Sequence, residues 1–157
     1  KGTLPAVDVG RSVSRVGGKT QLPAYREVAG DLRLSYSQFE ELEAFARFGT
    51  RMDEDTRKTL DHGRRVREIL KQSQYQPLPV AEQIAALVAV NEGVLDNIPI
   101  EDIGDAEKLI RRTITEDQQD LSQKIDKGEK LDQKDIDTIR QTAESALNRN
   151  QRSDTKK

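Results

Sequence analysis

Between Pro79 and Gly93 the chain reads Val80-Ala81-Glu82-Gln83-Ile84-Ala85-Ala86-Leu87-Val88-Ala89-Val90-Asn91-Glu92, with apolar side chains on nearly every face of the helix it would form. A helix apolar almost all round is not stable against water and must be buried on most sides. At this length it falls short of the ~20 apolar residues that a membrane span needs. It therefore demands cover from the rest of the chain, and the neighbouring segments must supply apolar stripes.

They do. From Pro23, a favourable first-turn residue, the residues Tyr25, Val28, Ala29, Leu32, Tyr36, Phe39, Leu42, Phe45 and Ala46 recur mostly at spacings of three and four. That is one broad helical face, with a break expected near Gly30-Asp31 and a stop at Gly49. Asp53 is placed to cap the next helix, with Glu54 and Asp55 near its positive end. Leu60, Val66, Ile69 and Leu70 carry that helix's apolar face, and Gly63 in its middle costs about 1 kcal/mol relative to Ala. Pro77 and Pro79 make a stiff loop ahead of the apolar helix, which Gly93 closes. Beyond residue 100 aromatics vanish, but helix signals persist. Asp105 is expected to cap one helix. Thr115 and Gln118 form a capping box for another through Leu121 and Ile125, ended by Gly128. Asp132 caps a third, with Leu131 and Ile136 stapling its start. Residues 148–157 read as a loose tail.

Composition fits this pattern and removes several chemistries. Apolar and charged residues each make up 34% of the 157, and the formal net charge is −2. Helices with one buried stripe and a wide solvated face have that balance. Near-equal acids and bases give no bulk attraction for nucleic acid. The absence of cysteine excludes disulfide and thiolate chemistry, and the single histidine, His62, excludes a histidine-rich metal site. His62 itself reads as an exposed helical residue. Arg64-Arg65-Val66-Arg67 reads as a solvated helix face with ion pairs rather than a nucleic-acid patch, having no interleaved aromatics.

Residues 1–20 are of another kind. Val7, Val9, Val13 and Val16 are β-branched, and Gly10, Gly17 and Gly18 punctuate them, which reads as short extended pieces and turns. The chain opens on Lys1 rather than Met, so a piece of something larger is expected. Gly17-Gly18-Lys19-Thr20 imitates the end of a phosphate loop, but Val13 stands where the pattern needs its first glycine, so the motif is rejected. The full stretch Pro5-Ala6-Val7-Asp8-Val9-Gly10-Arg11-Ser12-Val13-Ser14-Arg15-Val16-Gly17-Gly18 instead resembles the segment that closes the nucleotide-binding domain of the alpha subunit of the rotary F-type ATP synthase. The resemblance continues through Val28-Ala29-Gly30, Gln38 to Gly49, and Lys71-Gln72-Ser73-Gln74-Tyr75, with Ala81-Glu82-Gln83 and Val94-Leu95-Asp96 extending it. After residue 100 it rests mainly on helix order.

The resemblance implies an all-α C-terminal helical bundle over residues 23–157, preceded at 1–22 by the extended end of a nucleotide-binding domain. It implies that Arg15 is an arginine finger, reaching across a subunit boundary to a nucleotide bound mainly by the beta subunit. Ser12 would lie near the same phosphate. A guanidinium suits that task because its planar fork of donors matches phosphate oxygens and it stays charged; by residue type alone Arg15 reads as a surface arginine and Ser12 as a turn cap. Gln72 and Gln74 match the pair that closes over the adenine of the alpha subunit's own non-catalytic nucleotide. An amide presents both a donor and an acceptor to a base edge. The implied cofactor is ATP or ADP with magnesium, held in the whole complex rather than on this chain alone. The implied partners are beta subunits in an alternating ring, a central rotor and a peripheral stalk, on the cytoplasmic face of a membrane. Two positions depart from the pattern: Leu4 replaces an arginine that helps line the alpha subunit's own nucleotide pocket, and Asp8 replaces an asparagine. They look like a divergent alpha subunit of the sodium-pumping type. Two other readings stand beside this one. A stand-alone helical interaction module would bind a partner through its aromatic face, without ATP chemistry. A basic-helix nucleic-acid binder would show salt-sensitive binding.

Overall fold

The computed structural model describes residues 4–9, 12, 14–47, 52–72 and 75–154, with side chains to residue 150. Among them are seven α-helices and no strand: α1 Arg15–Thr20, α2 Pro23–Ala46, α3 Glu54–Ile69, α4 Val80–Asn91, α5 Ile103–Asp117, α6 Gln119–Asp126 and α7 Gln133–Asp154, with one 3₁₀ turn, Ile100–Asp102, ahead of α5. The all-α helical bundle that was expected is what forms among the described residues.

The apolar helix α4 is its axis. Ala81, Ile84, Ala85, Ala86, Val88, Ala89 and Val90 are buried, and α2, α3, α5, α6 and α7 all pack on it. Its four alanines keep it thin enough for five neighbours to approach. Ile84 is fully enclosed, a burial that contributes about 2–3 kcal/mol. Asn91, one of its few polar residues, donates from Nδ2 to the Val28 carbonyl on α2 at 3.0 Å.

α2 and α3 form an antiparallel hairpin against α4. Ala24, Val28, Leu32, Tyr36 and Phe39 make the buried stripe of α2. The expected break at Gly30 does not occur. Gly30 faces open space, and burial of Val28 and Leu32 on either side outweighs its cost of about 1 kcal/mol. Gly63 has a packing reason that the sequence did not show: a Cβ there would stand 2.1 Å from Cγ of Phe39. The ring fills that space and lies 4.5 Å beneath the Arg67 guanidinium. Arg67 donates to both Glu43 oxygens at 2.9 and 2.7 Å.

Several caps stand where expected. Asp53 Oδ1 accepts from Thr56 N at 2.8 Å. Gly93 and Gly128 end α4 and α6 with φ of 70° and 75°, the left-handed conformation that glycine adopts without strain. Asp132 and Asp135 cap the start of α7 reciprocally, at 2.9 and 2.8 Å. Leu131 is buried and Ile136 packs on the core, as a staple requires.

Other expectations fail for local reasons. The Thr115–Gln118 box does not form, because Thr115 lies inside α5 and its hydroxyl donates to the Arg111 carbonyl at 3.1 Å. α5 begins at Ile103, ahead of Asp105, because burying Ile103 draws the preceding turn into helix. α7 continues to Asp154 where a loose tail was expected from residue 148. Within residues 1–22, Arg15–Thr20 is helical rather than extended: Ser14 Oγ accepts from Gly17 N at 2.9 Å and caps the turn. The Gly49 stop lies outside the described residues. No described helix is long and apolar enough to cross a membrane.

Candidate functional site

Arg15 is the first residue of α1, directly after its N-cap Ser14, whose hydroxyl accepts from Gly17 N. α1 buries none of its residues, and Val16 beside Arg15 is 74% exposed. Arg15 is exposed and makes no hydrogen bond or ion pair to the described residues. Ahead of it, Ser12 N donates to the Asp8 carbonyl at 2.9 Å and Ser12 Oγ donates to the same oxygen at 2.5 Å. That uses the hydroxyl proton and leaves the oxygen of the exposed Ser12 as an acceptor. Ser12 and Arg15 thus share one exposed segment. Leu4, also on it, is 54% exposed.

Gln72 lies elsewhere, in the loop between α3 and α4. No hydrogen bond joins it to the Ser12–Arg15 segment. Its Nε2 donates to the Gln76 carbonyl at 2.8 Å, so the amide clasps its own loop while its oxygen remains available. Tyr75, beside it, is 90% exposed at φ 62°. Gln74 lies outside the described residues. Two residues that the sequence reading passed over hold this loop. Gln83 on α4 donates from Nε2 to the Leu78 carbonyl at 2.7 Å, and its Oε1 accepts from the Tyr25 hydroxyl on α2 at 2.7 Å. A clue to them was present in the sequence, since Gln83 is an amide inside an otherwise apolar run.

Beneath the loop is a cavity of about 390 Å³, lined among others by Leu70, Gln72, Gln83, Leu87, Glu107 and Arg111. Arg111 is flanked by Glu107 at 3.4 Å and Glu82 at 3.7 Å. Burial pushes the Glu107 carboxyl above the ordinary glutamate range, against the pull of Arg111. Lys71 pairs with Glu68 at the rim. Each cation lining the cavity is thus paired with a carboxylate of the same chain, Lys108 with Asp105 at 2.9 Å.

The remaining candidates are occupied in the fold. Arg64 pairs with Asp61 at 2.9 Å. Arg65 binds the Ile98 carbonyl through Nε and Nη2, and Arg67 is held by Glu43. His62, expected to be exposed, is instead three-quarters covered, with Nδ1 2.9 Å from Asp96 Oδ1. Among the described residues no group of three or more His, Asp or Glu side chains is disposed to hold a metal ion. At this loop the described residues offer the exposed Gln72 amide and the exposed Tyr75 ring.

Residues 21–146 match the family described as "ATP synthase alpha/beta chain, C terminal domain". The chain is 65% identical over 147 residues to ATP synthase subunit alpha 2 of Syntrophus aciditrophicus, covering 94% of this chain and 28% of that protein. It is 58% identical over 147 residues to ATP synthase subunit alpha 1 of Rhodopirellula baltica, covering 94% and 29%. It is 55% identical over 143 residues to ATP synthase subunit alpha 2 of Syntrophotalea carbinolica, covering 91% and 27%. The chain thus spans less than a third of the length of these relatives.

Proposed function

Because the chain belongs to the ATP synthase alpha/beta family, whose C-terminal domain it carries, we propose that it works inside an assembled ATP synthase as the C-terminal part of an alpha subunit. In this reading residues 1–22 close a nucleotide-binding domain, and the helical bundle packs into a ring of alternating alpha and beta subunits around a rotor, at the membrane's cytoplasmic face. Arg15 reaches the catalytic site of a neighbouring beta subunit, with Ser12 beside the same phosphate. Gln72 and Gln74 close on the adenine of the chain's own non-catalytic nucleotide.

The observation that carries this reading is the state of Arg15. Among the described residues of the bundle, most arginines are paired with a carboxylate or bonded to a carbonyl. Arg15 stands exposed and unpaired, on a capped turn, in the Ser-Val-Ser-Arg-Val-Gly sequence of the resemblance. An unpaired guanidinium keeps all five donors for a ligand. ATP bound with magnesium supplies the phosphoryl group, and the part of this chain is electrostatic. Arg15 neutralises charge that grows on the phosphoryl oxygens as the bond breaks, and a finger of this kind is worth about 10³–10⁵ in rate. Ser12 adds an exposed hydroxyl that can donate to a phosphate oxygen once it leaves the Asp8 carbonyl. Gln72 presents an acceptor to the exocyclic amine of the base, with the Tyr75 ring close by.

Replacing Arg15 by Ala in the assembled enzyme is expected to lower multisite ATP hydrolysis by about 10³ and to leave subunit stoichiometry unchanged on gel filtration. Hydrolysis at the wild-type rate would overturn the role of Arg15.

A further inference from the structure

The described residues on either side of positions 73–74, Lys71 and Gln72 before them and Tyr75 to Pro79 after them, are held at their two ends by different means. At the start, Leu70 N and Lys71 N donate to the Val66 and Glu68 carbonyls, continuing α3. At the end, Leu78 sits between Pro77 and Pro79, neither of which has an N–H to donate. There the hold comes from outside the loop. Tyr25 on α2 donates to Gln83 Oε1 at 2.7 Å, and Gln83 Nε2 donates to the Leu78 carbonyl at 2.7 Å. The amide has one workable orientation, since turning it over would set Oε1 against the carbonyl. Burial raises the Tyr25 phenol above its ordinary range, so it remains a donor at neutral pH. Between the clamps, the Gln72–Gln76 hydrogen bond passes the position of the anchored end to Gln72.

We propose that Gln83, braced by Tyr25, is a positioning residue for base recognition: by holding the Leu78 carbonyl it sets the place of Gln76, to which Gln72 is bonded, and thereby decides whether Gln72 meets an adenine edge. The proposal rests on the nucleotide-binding reading of Gln72. It concerns base selectivity rather than overall affinity. A hydrogen bond to a base edge is lost over a few tenths of an ångström and a change of angle, whereas phosphates are held elsewhere. Guanine presents an acceptor where adenine presents an amine, so a misplaced Gln72 would cease to tell them apart.

The test uses the assembled enzyme. Hydrogen–deuterium exchange of the peptide spanning 71–79 is followed while ATP or GTP, each with magnesium, is titrated. In the wild type, ATP is expected to protect this peptide at a concentration about tenfold lower than GTP, as one base hydrogen bond to an amide allows. Gln72→Ala should abolish that ratio. Gln83→Leu should reduce it to within about twofold of unity, and Gln83→Glu should do the same, because a carboxylate still accepts from Tyr25 but cannot donate to Leu78. Tyr25→Phe, which deletes one oxygen, should give an intermediate ratio, and it carries the test if the Gln83 variants do not assemble. A Gln83→Leu enzyme that keeps the wild-type ratio, or that weakens ATP and GTP equally, overturns the positioning role. A Gln72→Ala enzyme that keeps the ratio, or a wild type without preference, overturns the nucleotide reading itself.

Discussion

α4 and α1 are both helices, yet they are held by opposite means. α4 is enclosed by five other helices and buries seven of its twelve residues. α1 buries none of its six; the Ser14 hydroxyl caps its start, and Arg26 on α2 holds its end through the Lys19 and Gln21 carbonyls. Tertiary packing supplies most helical stability in proteins, and a helix of six residues is far below the ~12–15 that are even marginal alone in water. The bundle therefore defines its own geometry, while the segment bearing Arg15 is arranged locally and completed by whatever it meets. A rigid body carrying an exposed cation suits the action on another subunit's ligand that is proposed for Arg15.

One chemical change made in both regions breaks this comparison open. Gly63→Ala puts a methyl 2.1 Å from Cγ of Phe39, itself fully buried. Phe39 must move, and with it the Arg67 guanidinium above its ring. The expected cost is about 3 kcal/mol, read as a fall in Tm of roughly 6–12 °C for a domain of this size. Gly18→Ala in α1 meets nothing within 4 Å. It should leave Tm unchanged and slow amide exchange over residues 15–20 about fivefold, the equivalent of about 1 kcal/mol of helix propensity. If the two variants shift Tm equally, α1 is part of the bundle's cooperative unit and the contrast fails.

That pair also shows where the sequence stops being legible. α4 was readable because burial follows from composition when every face is apolar, and Asp53, Gly93, Gly128 and Asp132 were readable because caps are local. Gly63 was visible only as a weakness. Its reason, the Phe39 ring, comes from a residue twenty-four positions away on another helix, and no periodicity encodes it. The Thr115–Gln118 box failed for the converse reason. A local signal was present, but burial of Thr113 and Ile114 kept α5 helical through it. The candidate site divides along the same line. Arg15, Ser12 and Gln72 were found by motif. That Arg15 begins a helix, and that Gln83 holds the Gln72 loop, depended on contacts that a motif does not contain.

A smaller effect tests the charge network that makes the α2–α3 hairpin rigid. Hydrogen bonds from Arg67 hold the Glu43 carboxyl below the ordinary glutamate range. A carboxyl depressed in the folded state contributes stability that is complete above its unfolded value, about 4.3, and is lost as pH falls through the folded one. Glu43→Gln should therefore lower Tm at pH 7, and the gap to wild type should close as the pH is taken below about 4. A gap that stays constant down to pH 3 would show that Glu43 acts by shape rather than charge.

The smallest effects come from the two caps, and they sharpen the comparison most. Asp53 caps α3 through Thr56 N, and Ser14 caps α1 through Gly17 N, by the same chemistry at nearly the same distance. Each is worth about 1 kcal/mol. Asp53→Ala acts on a helix whose buried face ties it to the core, so its loss appears in global stability, as about 2–4 °C of Tm. Ser14→Ala acts on a helix with no buried face, so Tm should not move. Its loss should appear as faster amide exchange over residues 15–20. In the assembled enzyme it should also appear as a fall in ATP hydrolysis of up to about fivefold, because Arg15 is still present but begins its approach from a less ordered turn. A Ser14→Ala enzyme with unchanged exchange in α1 would mean that contacts with a neighbouring subunit, not the cap, hold Arg15 in place.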